Sequence, residues 1–575
     1  MDEQTNIYDK IFIIILTITA IIHFILFSEL VHIPSPVYGG DLYRERGFVQ
    51  YLLNGNHYWT DPYFKGELEF YPPLGYVVAA IIVWLTGWSV DTIISFSPLI
   101  ITPLIVYAFY TLGKVVLKRK AAAFVTAITG LAYNFFPVKH TYGLGIFFAL
   151  LFLREFFKHE QEPTIKTKIK CGIFLGLAAL SHYQPFLFTL GMVGISILLE
   201  FIIHVKREKK IFNIAKEFIK KYFIMFFIAF VISLIFFGPL IAKYQMKTPN
   251  RTQEYSQFDV NKHGIEWVVG TLWNQFVQTN NIPNFLLGTL GILGLLLCIM
   301  NKDKTEQRYS IFLLAGITIT AGHYLITKPL FNAWVVPSHM MAGLFIPFII
   351  LVGWGARFVS AILQKRTRHA EIITTTVIAI FIILPLINSQ INNYNNDRWT
   401  QYGRQMDAST GALYSMAEWI LKNTNNEDIF LANDESAFAI NALTGRQVVA
   451  VRRTHASPYA DVDKRYADAI VMLYGNNHAV IQQLLKQYSV NYVMFDQFLL
   501  TSSIITSKEH KMYLEENGVD FSIQNVRLDP AGADTAVYES IVVPPQELKI
   551  SNLSQPITQF TAGGQPIVVL YKIKK

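Results

Sequence analysis

The chain has 575 residues and a formal net charge of +8, and 52% of its residues are hydrophobic, 14% aromatic and only 16% charged. An average soluble chain is roughly 25% charged. This composition excludes a disordered protein, collagen, a coiled coil and an ordinary soluble enzyme, and it indicates an integral membrane protein. Cys171 and Cys298 lie in apolar runs and offer neither a disulfide framework nor a thiolate zinc site.

Apolar runs recur through the first two thirds of the chain, and a spanning helix needs about 20 apolar residues. We predict roughly eleven spans on this rule. They lie at Ile11–Phe27, Ile93–Val116, Ala121–Phe136, Gly143–Phe157, Cys171–Leu180, Phe186–His204, Tyr222–Ile241, Phe285–Met300, Ser310–Ile326, Met340–Val359 and Ile372–Leu386. The first lacks a small-residue cleavage site and is interpreted as a retained span. The fifth is short and leads through Ser181–Pro185 into the sixth, which predicts two helices that meet at a tight turn.

Basic residues indicate the orientation of these spans. The clusters between spans all fall on one side if the spans alternate: Lys114–Lys120, Lys166–Lys170, Lys206–Lys221, Lys302–Arg308 and Lys365–Arg368. The positive-inside rule assigns that side to the cytoplasm. We therefore predict a cytoplasmic amino terminus and a carboxy-terminal region outside the cell membrane. The clusters are interpreted as solvated loops near lipid headgroups, not as nucleic-acid sites.

Pro73–Gly87 is an apolar segment of about 15 residues, short of the usual spanning length. Counting it as a span would reverse the orientation of every span that follows. We interpret it as a helix that lies in, or re-enters from, the outer interface. Irregular backbone there must line a cavity or pack inside protein.

The composition changes near Asn388, after which no apolar run is long enough to span. We predict a helical transmembrane domain over 1–388, with a large first outer loop at 28–92, and a soluble extracytoplasmic α/β domain over 389–575. Its strands are predicted at Asp428–Ala432, Val448–Val451, Val490–Phe495, Ala536–Tyr538 and Ile567–Ile573, and its helices at Leu413–Lys422, Asp463–Tyr474 and Ala479–Tyr488. Strands that alternate with helices are typical of α/β layers.

The first outer loop carries the residues best suited to chemistry. Asp41 follows the first span closely, and the two glycines before it let backbone or ligand approach. Arg44 and Arg46 are near enough to help neutralise an anionic headgroup, because a planar guanidinium pairs two phosphate oxygens. A carboxylate beside arginines at a membrane surface can deprotonate a hydroxyl next to a lipid-linked phosphate leaving group. The alternative is a surface aspartate with two solvated arginines.

Several short motifs resemble the GT-C superfamily of membrane glycosyltransferases. The run Asp41–Arg46 followed by Asn54-Gly55 resembles the first-loop motif in which that family's acidic residue acts. Tyr71–Leu74 resembles the corresponding helix entry of protein O-mannosyltransferases, and the short helix ending at Ser181-His182 resembles the family's paired short spans. The similarity covers most of the chain. It implies polyprenyl-phosphate sugars as donors, with Asp41 as the general base or as the group that orients the acceptor.

Further candidates come from outer helix ends, loops and the tail. Besides Arg44 and Arg46, the residues predicted to bind the donor phosphate are Lys139, His140, His182 and Lys328. The residues predicted to position acceptor or substrate are Tyr43, Glu67, Glu69, Tyr71, Arg251, His263, His339, Glu435, Arg446 and Arg453. The spacing of Glu67 and Glu69 places both on one face of an extended loop, as an acceptor or metal site. The alternatives are interfacial histidines bonded to backbone, a snorkelling Lys328, surface carboxylates and ion pairs within the tail.

We therefore expect a hexosyl- or pentosyltransferase that moves a sugar to a glycan, lipid-linked glycan or protein outside the cell. Oligosaccharide transfer to protein is one alternative, although the Trp-Trp-Asp-Tyr-Gly motif of oligosaccharyltransferase catalytic subunits is absent and the turn Pro137–Tyr142 has no carboxylate. A flippase of lipid-linked sugars is another, although no inverted repeat typical of transporters is found. A third is a pseudoenzyme whose tail is a binding module. A divalent metal cofactor is left open.

Overall fold

The structure is a computed structural model, and it describes part of the chain. The described residues are 2–35, 40–136, 139–208, 210–247, 282–300, 308–309, 311–312, 314–316, 319, 342–364, 370–378, 380–381, 384–452, 455–496, 503–527, 538–542 and 549–574. The chain forms two compact units. The first comprises Met1–Ser28, Phe96–Gly238 and Asn261–Asp397, and the second comprises Glu29–Ser95, Pro239–Val260 and Arg398–Lys575.

Long apolar helices dominate the amino-terminal two thirds of the chain. The described helices of this part of the chain, in order, are α1 (Asp2–Ser28), α2 (Asp41–Leu53), α3 (Leu74–Thr86), α4 (Val90–Leu117), α5 (Lys120–Tyr133), α6 (His140–Gln161), α7 (Ile165–Ser181), α8 (Tyr183–Glu208), α9 (Ile211–Tyr244), α10 (Ile282–Met300), α11 (Phe345–Gln364), α12 (Ala370–Ile378) and α13 (Leu384–Asn396). Within the described residues, 6 helices are long and apolar enough to cross a membrane. The chain is therefore a membrane protein, while the predicted total of about eleven spans and their orientation stay predictions.

Small residues allow the helices of the first unit to pack closely. A Cβ added at Gly172 or Gly176 of α7 would lie 2.6 Å from Ile228 or Ile232 of α9, and one added at Gly294 of α10 would lie 2.0 Å from the Leu351 carbonyl oxygen of α11. Such contacts are typical of helices that associate in a bilayer. The predicted tight turn is present as well, because α7 ends at Ser181 and α8 begins two residues later.

The tail has alternating helices and strands. Its helices are α14 (Arg398–Gly403), α15 (Ala408–Asn423), α16 (Asp434–Thr444), α17 (Val462–Tyr474), α18 (His478–Gln487) and α19 (Lys508–Glu516). Its strands are β1 (Ile429–Leu431), β2 (Gln447–Val448), β3 (Val490–Asp496), β4 (Ser503–Ser507), β5 (Ser522–Arg527), β6 (Tyr538–Val542), β7 (Ser554–Ala562) and β8 (Gln565–Ile573). The predicted helices fall on α15, α17 and α18, and three of the predicted strands fall on β1, β3 and β8. The strand predicted at Val448–Val451 shares only Val448 with β2, and the one predicted at Ala536–Tyr538 shares only Tyr538 with β6, its first two residues lying outside the described part of the chain.

The larger sheet has the strand order β2-β1-β3-β8-β7. Its first three strands are parallel, and β8 joins them antiparallel to β3. The three residues of β1 are buried, as expected for a central parallel strand covered on both faces. A second sheet, of order β4-β6-β5, is antiparallel.

The first outer loop packs against the tail inside the second unit. A Cβ added at Gly47 of α2 would lie 2.6 Å from Asn441 Oδ1 and 3.0 Å from Ala442 Cα of α16. Gly445 ends α16 with a φ of 65°, and a Cβ added there would lie 2.6 Å from the backbone nitrogen of Tyr51. The two helices therefore approach at positions where a side chain does not fit.

Helix α3 occupies the segment for which an interfacial helix was predicted. It ends at Gly87, a left-handed residue with a φ of 70°. Its last turn exposes Trp84, 77% accessible, together with Leu85. An exposed tryptophan at the end of an apolar helix is typical of the membrane interface. The interfacial interpretation, like the domain boundary near 388, stays a prediction.

Candidate active site

Asp41 is the first residue of α2. The preceding Gly40 has a φ of 85°, and a Cβ there would lie 2.4 Å from the Ser35 hydroxyl, so glycine is required for the chain to enter the helix. A carboxylate in the first turn is favoured by the helix dipole. The side chain of Asp41 is 46% exposed. The backbone of Asp41 is therefore fixed at the start of α2, and its side chain is partly accessible to solvent.

His455, in the loop between β2 and α17, lies beside Asp41. Its Nε2 atom is 3.2 Å from Asp41 Oδ1, and its side chain is only 9% exposed. Burial lowers the pKa of His455, whereas the hydrogen bond and charge of Asp41 raise it; the positive charges of Arg452 and Arg44 lower it further. The imidazole is therefore neutral near pH 7, and because a carboxylate oxygen only accepts, we assign the Nε2 proton to this contact. Sequence reasoning missed this residue.

Arg44 and Arg46 both have protein partners. Arg44 donates to Glu69 at 2.6 Å and to the Tyr76 hydroxyl at 2.8 Å, and its guanidinium lies 4.0 Å from the ring centre of Tyr71. Arg46 donates to both oxygens of Asp91, at 3.0 and 3.1 Å, and to the carbonyl of Ala442. These contacts fix α2 to its neighbours. The phosphate-binding role of the two arginines stays a prediction.

Glu67 and Glu69 contact different side chains. Glu69 is buried and bonded to Arg44, whereas Glu67 accepts from Tyr244 at 2.5 Å and from Lys243 at 3.1 Å. Backbone hydrogen bonds and an isolated antiparallel β-bridge between Thr60 and Leu68 hold the segment that contains both glutamates in place. The partners of the two carboxylates therefore differ, and their predicted role at one acceptor or metal site stays a prediction.

Asp61 is a buried carboxyl group to which sequence reasoning gave no role. Its Oδ1 atom accepts from the amides of Tyr63 and Phe64 at 2.7 and 2.9 Å. Burial, and secondarily the charge of Glu69, raise the pKa of Asp61 to about 8. Burial likewise raises the pKa of Glu69, against the charge of Arg44. The Asp-Pro-Tyr sequence predicts a turn in which the aspartate accepts from nearby backbone amides. It does not predict that the carboxyl group is buried.

The other candidates in the second unit have structural partners. Tyr43 is buried, with its hydroxyl 3.5 Å from both His32 Nδ1 and the Tyr414 hydroxyl. Glu435 forms an ion pair with Arg452. Arg446 is buried and donates to Thr424 and to Asn426. Only the Glu435–Arg452 contact among these is an ion pair within the tail, and the positioning roles predicted for Tyr43, Glu435 and Arg446 stay predictions.

The remaining candidates lie in the first unit or outside the described residues. Lys139 precedes α6, His140 is its buried first residue, and His182, between α7 and α8, accepts from the Gln184 amide at 3.2 Å. The predicted residues outside the described part are Arg251, His263, Lys328, His339 and Arg453. Over the described residues no group of three or more His, Cys, Asp or Glu side chains could hold a metal ion.

Comparison with known proteins gives matches by fold alone. No family model and no curated protein matches the chain. The oligosaccharyltransferase of Archaeoglobus fulgidus, tethered with an acceptor peptide containing the NVT sequon, is 13% identical with a TM-score of 0.50 over 96% of this chain and 79% of that one. ArnT from Cupriavidus metallidurans is 11% identical with a TM-score of 0.53, over 93% of this chain and 99% of ArnT.

The arabinofuranosyltransferase AftD from Mycobacteria also matches. It is 12% identical with a TM-score of 0.51, and the match covers 97% of this chain but 40% of AftD. All three are membrane glycosyltransferases of the GT-C superfamily. At such identities the likeness concerns the fold alone, and at that level it agrees with the resemblance to the GT-C superfamily. The chain has the GT-C fold of membrane glycosyltransferases.

Proposed function

We propose that the chain is a membrane glycosyltransferase that moves one sugar from a polyprenyl-phosphate donor to a hydroxyl of an extracytoplasmic acceptor. The acceptor is a glycan, a lipid-linked glycan or a protein. The observation that carries the proposal is the placement of Asp41. It is the accessible acid at the amino-terminal end of α2, with a buried neutral histidine against one of its carboxylate oxygens.

The chemistry needs one base. Asp41 accepts the proton of the acceptor hydroxyl while that oxygen forms a bond to the anomeric carbon of the donor sugar. The bond from the anomeric carbon to the phosphate oxygen breaks, and the polyprenyl phosphate leaves with the electron pair. A positioned general base typically contributes 10²–10⁴-fold to such a step.

Two lines of support come from outside this site. The fold is shared with proteins named oligosaccharyltransferase and arabinofuranosyltransferase, and both names describe transfer of sugars. The first-loop resemblance implies the polyprenyl-phosphate donor. The apolar helices are consistent with a donor whose long hydrocarbon tail stays in the bilayer.

Asp41→Asn tests the proposed base. The amide cannot accept the hydroxyl proton, so we expect kcat to fall by about 100-fold or more, while KM for the donor changes little. The measurement is transfer from a radiolabelled polyprenyl-phosphate sugar by purified enzyme in detergent. Glu516→Gln, an exposed carboxyl-to-amide change in α19, is the control and should retain full activity.

Three outcomes contradict the proposal. Full turnover by Asp41→Asn would remove Asp41 as the base. Movement of the lipid-linked sugar across proteoliposomes without covalent transfer would favour the flippase. Transfer of an assembled oligosaccharide to an asparagine peptide would instead favour the oligosaccharyltransferase alternative, for which the fold match to the archaeal enzyme is the specific observation.

A further inference from the structure

His455 is held in place by the tail. Its backbone amide and that of Ala456 both donate to the Arg452 carbonyl, at 3.0 and 3.1 Å. The Arg452 side chain in turn forms an ion pair with Glu435 in the first turn of α16. The loop that carries the imidazole is therefore attached to α16 by a charged side chain as well as by its own turn.

The imidazole ring is also fixed by packing. Its centre lies 4.8 Å from that of the buried Phe438 ring of α16, and the Arg452 guanidinium lies 5.1 Å from the same ring. A buried ring held on one side by an aromatic neighbour has little rotational freedom. Its Nε2 atom is consequently a fixed donor rather than a mobile surface group.

We propose that His455 is the positioning residue for Asp41. Its Nε2–H holds Oδ1 and thereby orients the carboxylate for contact with the acceptor hydroxyl. This inference rests on the proposed glycosyl transfer. The contact is a hydrogen bond to an ionised group, the stronger class of hydrogen bond, and it restricts the orientation of a half-exposed carboxylate. The charged groups that face the imidazole are Asp41, Arg452 and Arg44.

The test compares His455→Ala with His455→Gln. The alanine variant removes the donor, and we expect kcat to fall at least about tenfold with KM for the donor within twofold of the wild type. The acidic limb of the profile of kcat/KM against pH should move upward, because the carboxylate then loses a donor that favours its charged form. Glutamine places an amide NH2 near the position of Nε2 and should restore much of kcat. His478→Gln, exposed in α18, is the matched control.

A double-mutant cycle separates this inference from the proposed function. Asp41→Ala and His455→Ala, each of which removes one partner of the hydrogen bond, are combined, and the unfolding midpoints of all four proteins are measured in detergent. Non-additive shifts establish the contact without any assay of transfer. Additive shifts, or a His455→Ala variant that folds and keeps wild-type kcat and pH profile, overturn the positioning role. A wild-type protein that shows the coupling but transfers no sugar overturns the proposed function, and with it the role of the pair.

Discussion

Asp61 shows how burial changes the protonation of a single carboxyl group. Its carboxyl group is fully enclosed, accepts two backbone hydrogen bonds and lies within the influence of Glu69. Because its pKa is raised from 3.8 to about 8, the folded protein holds a proton that the unfolded chain releases. The contribution of this group to stability is therefore complete below pH 3.8 and declines as the pH rises through about 8.

Asp61→Asn should reduce the dependence of the free energy of unfolding on pH. The amide oxygen keeps the bonds from Tyr63 and Phe64, and the side chain no longer has a proton to lose. We expect the fall in the free energy of unfolding between pH 5 and pH 8 to shrink by about 1–3 kcal/mol, since one pKa unit corresponds to about 1.4 kcal/mol. Urea unfolding followed by tryptophan fluorescence measures this, with Glu516→Gln as control. A slope equal to that of the wild type would contradict the assignment.

The sequence indicated some residues of the site and not others. Asp41 could be found because it follows a recognisable span and starts a motif. His455 has no such signal, since it lies in a loop with neither helical nor strand periodicity, and only the folded chain places it beside Asp41. For Arg44 and Arg46, charge and position favoured phosphate, whereas burial and the partners Glu69 and Asp91 depend on contacts between distant segments.

At the scale of elements, the contact of α2 with α16 unites the first outer loop and the tail. Gly47 has no room for a side chain, because Asn441 Oδ1 and Ala442 Cα lie 2.6 and 3.0 Å from a built Cβ. In an exposed helix, replacing glycine by alanine favours folding by up to about 1 kcal/mol. At Gly47 this gain is opposed by a clash with the α16 backbone, and overpacking typically costs about 1–3 kcal/mol.

Gly47→Ala should therefore destabilise the protein despite better helix propensity. The matched control is Gly411→Ala in α15, where the nearest atom to a built Cβ is 3.9 Å away. We expect the control to raise the unfolding midpoint and Gly47→Ala to lower it, with reduced transfer activity because α2 carries Asp41. Thermal unfolding in detergent measures both. Equal stabilisation by the two substitutions would show that α2 and α16 do not approach so closely.

The whole molecule is predicted to place its tail outside the cell. Gln483, exposed on α18, and Lys166, exposed in a predicted cytoplasmic cluster, provide matched positions for cysteine. The native thiols Cys171 and Cys298 are buried, so background labelling is low. In intact cells an impermeant thiol reagent should label Gln483→Cys, and it should label Lys166→Cys only after lysis. The reverse pattern would invert the orientation derived from the basic clusters.

The sequence by itself determined the membrane class, the resemblance to the GT-C fold, most of the long apolar helices, and part of the helices and strands of the tail. These are local properties, because the length, hydropathy and periodicity of a segment depend only on consecutive residues. The tertiary structure alone decided that the first outer loop packs with the tail, that Glu67 and Glu69 have different partners and that His455 lies against Asp41. Those outcomes depend on close approach between segments distant in the chain, for which neither composition nor spacing carries a signal.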